Sequence, residues 1–284
     1  MTARARRPRT VGASESPVSF APLQAGEGRL VAAWASRSRR RRPVVLLLPG
    51  LYQVPGALFH WMFRLAQGGA LAATFEDTLS LRADGLSDLA GGLERLLEAL
   101  IGRARSTLEA LAALPAADPD RMALIGVSAG GWAALRLAEE RCQGTAPAGR
   151  VAAVAAVLSG AGWRRIPEGV SGFFEEVGVR CHPDMAGVPV DPGRFPLLHP
   201  GDPAERAERL RGCALLLVAG AKDPLVDAAE VRAFYQELAA RLPEAGERLQ
   251  FVVYSRVGHR LTPPMEDRVA SWVLWMLGAG GLRG

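Results

Sequence analysis

The sequence predicts an α/β fold with a mostly parallel central sheet flanked by helices on both faces. Three observations point to it. Short continuous apolar runs at 44–48, 151–158 and 213–218 lack the polar alternation of a half-exposed strand and read as strands buried on both faces. Between such runs lie longer segments with apolar residues at helical spacing, and that order argues for parallel strands joined by helical crossovers. The third is a junction: residues 121–135 read as a buried strand, a very tight turn carrying Ser128, and the start of a helix.

In chain order, residues 1–17 are small, charged and broken by Pro8 and Pro17; they read as a disordered basic N-terminus, with 18–284 as a single domain. Residues 18–23 and 29–35 suit a hairpin around Gly26-Glu27-Gly28, an antiparallel edge, and 36–42 a solvated turn. The buried strand 44–48 stops abruptly at Pro49-Gly50-Leu51-Tyr52, and a helix over 58–67 and an alanine-rich strand over 70–75 follow. Leu86, Leu89, Leu93, Leu96, Leu97 and Leu100 lie at helical spacing and set a long helix over 86–114, interrupted near Gly102. A turn at 115–120 leads into the strand before Ser128, and the helix after it runs to about Cys142. Strands at 151–158, 213–218 and 248–254, with helices at 228–241 and 264–277, complete the alternation. One stretch breaks it. Residues 161–210 are too long for a plain connection and hold Trp163, Phe173, Phe174, Met185 and Phe195 among many Gly and Pro. Residues 161–199 are therefore read as a small cap inserted after the strand ending near Leu158, and 203–211 as a short helix.

Composition bounds the function. With 284 residues, 49% of them hydrophobic, the chain can bury one sizeable core. The formal net charge of +5 owes much to arginines, at Arg4, Arg6, Arg7 and Arg9 and again at Arg37 and Arg39 to Arg42; Lys222 is the single lysine. No aromatic residues interleave with these arginines, so they read as compositional bias and not as a nucleic-acid face. The three cysteines, Cys142, Cys181 and Cys213, are odd in number and widely spaced, which argues against a disulfide framework or a zinc site. No apolar region follows the basic start as in a secretory signal, and no apolar run approaches the ~20 residues of a membrane span. The expectation is a cytoplasmic protein with no nucleic-acid partner and no membrane span; its oligomeric state is left open.

The junction carries chemistry. Gly126-Val127-Ser128-Ala129-Gly130 is the G-x-S-x-G pattern, in which a strained turn pushes a serine hydroxyl out above the end of a sheet. Such a serine needs a base, and the base an orienting acid. Of the four histidines, His60 lies in a helix and reads as structural, while His182 and His199 lie in the inserted stretch. His259 follows the strand 248–254 by a few residues, so its loop emerges at the carboxyl edge of the sheet, as Ser128 does. For the acid, the strand 213–218 breaks at Gly220 and Asp223 follows on the same edge, fixed by Pro224. The competing role for Asp223, capping the next helix, falls better to Asp227, with Glu230 as its capping-box partner.

Ser128, Asp223 and His259 in that chain order resemble the α/β-hydrolase superfamily, over about residues 18–277. Asp118-Pro119-Asp120-Arg121 before the serine motif, Gly220-x-x-Asp223-Pro224-Leu225-Val226, and Gly258-His259 look like its dienelactone hydrolase and prolyl-oligopeptidase-like serine esterase branch. The resemblance implies an α/β-hydrolase fold, with Ser128 as nucleophile, His259 as general base and then acid, and Asp223 as the orienting carboxylate. It implies an oxyanion hole of backbone N–H groups, from Ala129 and from the loop after the strand 44–48, with Leu51 as first choice and Tyr52 as second. Where the family often has His-Gly, this chain has Pro49-Gly50, and where the branch often has Asp and Gly it has Glu76-Asp77-Thr78, read as a surface loop near the pocket rim.

The function expected is that of a serine hydrolase cleaving a carboxylic ester, or a related acyl bond, of a small-molecule acyl substrate through an acyl-enzyme. Tyr52, Trp163, Phe173 and Phe174 are the candidate pocket residues. No cofactor is needed, and His and Asp or Glu never fall at metal-ligand spacing. The alternatives are a peptidase or thioesterase on the same fold, or a non-catalytic hydrolase-like binding protein. A prolyl-oligopeptidase-type peptidase usually carries an N-terminal propeller, and this sequence shows none.

Overall fold

A computed structural model of the chain describes residues 17–25, 28–35, 41–77, 89–142, 149–160 and 207–278. The expected cap at 161–199, its Trp163, Phe173, Phe174, His182 and His199, and the basic residues 1–16 lie outside the described residues. The strands are β1 (Val18–Ala25), β2 (Gly28–Ala35), β3 (Arg42–Leu48), β4 (Leu71–Phe75), β5 (Ala117–Val127), β6 (Val151–Val157), β7 (Ala214–Gly220) and β8 (Leu249–Tyr254). They form one sheet in the order β1-β2-β4-β3-β5-β6-β7-β8. From β4 to β8 every neighbouring pair is parallel, while β1–β2 and β2–β4 are antiparallel. This is a mostly parallel α/β sheet whose edge is the expected hairpin.

Helices α1 (Phe59–Gln67), α2 (Leu89–Ala112), α3 (Ala129–Arg141), α4 (Ala228–Arg241) and α5 (Pro263–Met276) cover both faces. Alternation along each strand decides which face a side chain meets. Leu46, Leu48, Leu124 and Leu217 point into a core shared with α2, α3 and α4. Val45, Leu47, Ile125 and Leu216 point the other way, into a core shared with α1 and α5. Two buried faces explain why β3 and β7 are apolar at nearly every position. Asp227 caps α4 as expected, accepting from Ala229 N–H at 2.8 Å.

Three expectations need correction. The helix α2 runs through Gly102 without interruption. A mid-helix glycine weakens a helix by only about 1 kcal/mol, and Leu97, Leu100, Ile101, Ala104 and Leu108 anchor both sides of it in the core. The turn expected at 115–120 is shorter, because β5 begins at Ala117. Its register against β3 jumps from Pro43↔Asp118 to Val44↔Met122, so Pro119, which cannot donate to a ladder, sits in the irregularity. Finally, Cys142 and Cys213 form a disulfide, with Cα atoms 5.5 Å apart and a sequence separation of 71. Spacing could not reveal it. A crossover helix runs against the strands, so the end of α3 and the start of β7 meet at the amino edge of the sheet.

The open space around Gly102 makes a prediction, because a Cβ added there meets nothing within 4 Å. Gly102→Ala should raise stability by up to about 1 kcal/mol through helix propensity. The denaturant midpoint of the variant checks this.

Candidate active site

The sheet order has one reversal that matters. The chain passes from β3 to β4 on one side, and β5 then takes the other side of β3. Connections diverge at such a switch point and leave a crevice at the carboxyl ends of the strands. The loop after β3 and the turn after β5 border that crevice.

The turn after β5 holds Ser128 in a conformation that L-residues rarely adopt, with φ 52° and ψ −119°. Main-chain hydrogen bonds hold it there. Ser128 N–H donates to Val157 O at 2.9 Å, and Ser128 O accepts from Gly131 N–H at 2.9 Å and Trp132 N–H at 3.2 Å. The glycines beside it permit close packing. A Cβ on Gly126 would run into the backbone of Gly130, and one on Gly130 into the carbonyl oxygens of Leu48 and Pro49. Strand β5, helix α3 and the end of β3 therefore meet with no side chain between them.

Three loops of the carboxyl edge converge on this serine. Ser128 Oγ lies 2.9 Å from His259 Nε2, and His259 Nδ1 lies 2.8 Å from Asp223 Oδ2. The Asp223 side chain is fully buried and that of His259 nearly so. A buried carboxylate must be hydrogen-bonded to remain charged. Asp223 Oδ1 accepts from Leu225 N–H at 2.8 Å and Val226 N–H at 3.0 Å, which leaves Oδ2 for the imidazole. With a carboxylate facing Nδ1, the proton belongs on Nδ1 and the lone pair of Nε2 faces the hydroxyl. The loops of Asp223 and His259 are also tied to each other, by Ala221 N–H to Tyr254 O at 3.0 Å and Lys222 N–H to Val257 O at 2.9 Å.

The loop after β3 lies against this turn. Gly50 is buried, and a Cβ on it would sit 3.3 Å from Ser128 Cβ. Among the described residues, no loop or turn carbonyl accepts from the N–H of Leu51 or of Ala129. Tyr52 is buried, with φ at 57°. The sequence reading missed Gln53, whose Oε1 accepts from Gly50 N–H at 2.9 Å. A glutamine three residues after a turn glycine was the available signal, but local capping by side chains is associated with Asn, Asp, Ser and Thr.

Other candidates lie apart from the convergence. His60 approaches Glu266 and Asp267 at 3.7 and 3.8 Å, between α1 and α5. Burial raises the Glu266 carboxyl above its ordinary range, opposed by His60 and reinforced by Asp267. Glu76 pairs with Arg29 and Asp77 with Arg103, so both serve exposed ion pairs.

The model of the Peptidase_S9 family, the prolyl oligopeptidase family, matches residues 106–278, a span that includes Ser128, Asp223 and His259. The chain belongs to the prolyl oligopeptidase family. At that level it is a serine-type hydrolase, and the resemblance to this branch of the α/β-hydrolases holds. Comparison with curated proteins finds no match. Among solved structures, TT1662 from Thermus thermophilus is similar at 21% identity and a TM-score of 0.69, covering 92% of this chain and 98% of that one. A Klebsiella pneumoniae protein assigned as a dienelactone hydrolase is 16% identical with a TM-score of 0.60, covering 90% and 98%. The acylaminoacyl peptidase of Pyrococcus horikoshii is 14% identical with a TM-score of 0.59, covering 94% of this chain but 42% of its own. At these identities the structural likeness shows the fold.

The close contact at the turn is testable by adding one methyl group. Gly126→Ala should lower stability by about 1–3 kcal/mol, because backbone rather than a flexible side chain must move. An unfolding midpoint equal to the parent's would refute it.

Proposed function

We propose that the chain hydrolyses a carboxylic ester of a small molecule through an acyl-enzyme on Ser128. The observation that carries this reading is the unbroken hydrogen-bonded run from Ser128 Oγ through His259 to the buried Asp223, at 2.9 and 2.8 Å. In the first half-reaction His259 Nε2 takes the hydroxyl proton as Ser128 Oγ bonds to the ester carbonyl carbon. Asp223 steadies the imidazolium that forms. The tetrahedral oxyanion is held by the N–H groups of Ala129 and Leu51, and each such donor contributes about 3 kcal/mol to lowering the barrier. Collapse expels the alcohol, which takes its proton from His259. Water then enters, gives a proton to His259 and attacks the acyl carbon; the acid leaves and Oγ regains the proton.

The ester preference draws support from the dienelactone-hydrolase-like structure, which this chain matches over nearly the full length of both. Family membership favours a second reading, a peptidase, which needs the same groups but must protonate a poorer leaving group.

Two measurements test these statements. Ser128→Ala should abolish both hydrolysis of p-nitrophenyl esters and labelling by a fluorophosphonate; a variant that labels as fast as the parent sinks the assignment, and a parent that never labels favours a binding protein. Turnover of p-nitrophenyl esters should exceed that of matched p-nitroanilides by more than their intrinsic reactivity difference, and the reverse order would make the protein a peptidase.

A further inference from the structure

We infer that Gln53 is a positioning residue that sets the oxyanion-binding turn by holding Gly50 N–H; this rests on the reading of Ser128 as nucleophile. Residues 50–53 form a tight turn closed twice between the same two residues. Gln53 N–H donates to Gly50 O at 3.3 Å, and Gly50 N–H donates to Gln53 Oε1 at 2.9 Å. The second bond has two consequences.

First, it removes Gly50 N–H from the donors that could face a substrate, although Gly50 is the residue of this loop packed against Ser128. That leaves Leu51 N–H, the next amide, as the first candidate donor on this side of the crevice.

Second, it holds a turn that its own sequence disfavours. Tyr52 occupies the third position of the turn with φ 57°, where a type II turn ordinarily places Gly or Asn. For a bulky residue that region costs about 1–2 kcal/mol. Without the side-chain bond, the 50–53 segment would relax and rotate the Leu51 peptide. The sequence has no histidine before Gly50 to serve the turn; Pro49 stands there, and the constraint comes from the residue that follows it. Gln53 itself needs no contact with substrate for this.

The test compares Gln53→Met, which keeps length and loses the acceptor, with Gln53→Glu, which keeps an acceptor oxygen. Both are measured on a p-nitrophenyl ester and on its thionoester, whose sulfur is a weak hydrogen-bond acceptor. Misplacing one oxyanion donor should lower the kcat of Gln53→Met on the ester by about tenfold to a hundredfold. KM should stay within about twofold, since the interaction strengthens only in the transition state. The thionoester should lose much less, and Gln53→Glu should recover most of the ester rate. A merely loosened fold would lower both substrates together, so an unchanged ester-to-thionoester ratio in Gln53→Met overturns the inference, as does parental kcat. Failure of the underlying reading is distinguishable, because then Ser128→Ala would retain fluorophosphonate labelling or the parent would show none.

Discussion

The arrangement of the site depends on one steric condition, the absence of any Cβ where β5, α3 and the end of β3 touch. Gly126 meets the backbone of Gly130, and Gly130 meets the last carbonyls of β3. Only with that contact can the chain reverse from strand to helix within a single residue. Ser128 absorbs the reversal, and its left-handed backbone holds strain of order 1–3 kcal/mol. Bonds to β6 and to the first turn of α3 offset this strain. The hydroxyl is thus positioned by the sheet itself, which moves far less than a surface loop.

A second condition is electrostatic. The Asp223 carboxylate is excluded from water, and an isolated charge there would be neutralised or expelled. Two main-chain donors and the imidazole occupy its acceptor positions, so the carboxyl group is satisfied and also aimed. Pro224 fixes the turn that brings the amides of Leu225 and Val226 round to face Oδ1. The bonds from Ala221 and Lys222 to the His259 loop then make the two loops one unit. The two loops cannot drift apart without breaking these backbone hydrogen bonds.

The parts legible in the sequence were those governed by short-range rules. Apolar runs located β3, β6 and β7 because burial on both faces leaves no polar alternation, and the capping pattern at Asp227 released Asp223 for another role. Chain order and edge polarity were enough to bring Ser128, Asp223 and His259 together. What escaped depended on long-range or weak terms. Gly102 looked like a helix break because propensity is local, whereas packing against the sheet decides. The start of β5 was hidden because Asp118-Pro119-Asp120 reads as a turn, and a register irregularity accommodates it within the strand. Gln53 was overlooked because a single glutamine three residues after a turn glycine is a weak mark for the one side-chain bond it makes.

The Cys142–Cys213 bridge has a consequence of its own. Thiol–disulfide exchange needs an attacking thiolate to reach a sulfur in line with the bond. Both cysteines are only 2% exposed, so among the described residues the bridge is covered. Exchange must wait until the amino edge of the sheet opens where α3 ends and β7 begins, so its rate reports the local opening free energy of that edge. The bridge therefore works as a gauge of breathing at the amino edge of the sheet, while the serine stands at its carboxyl edge.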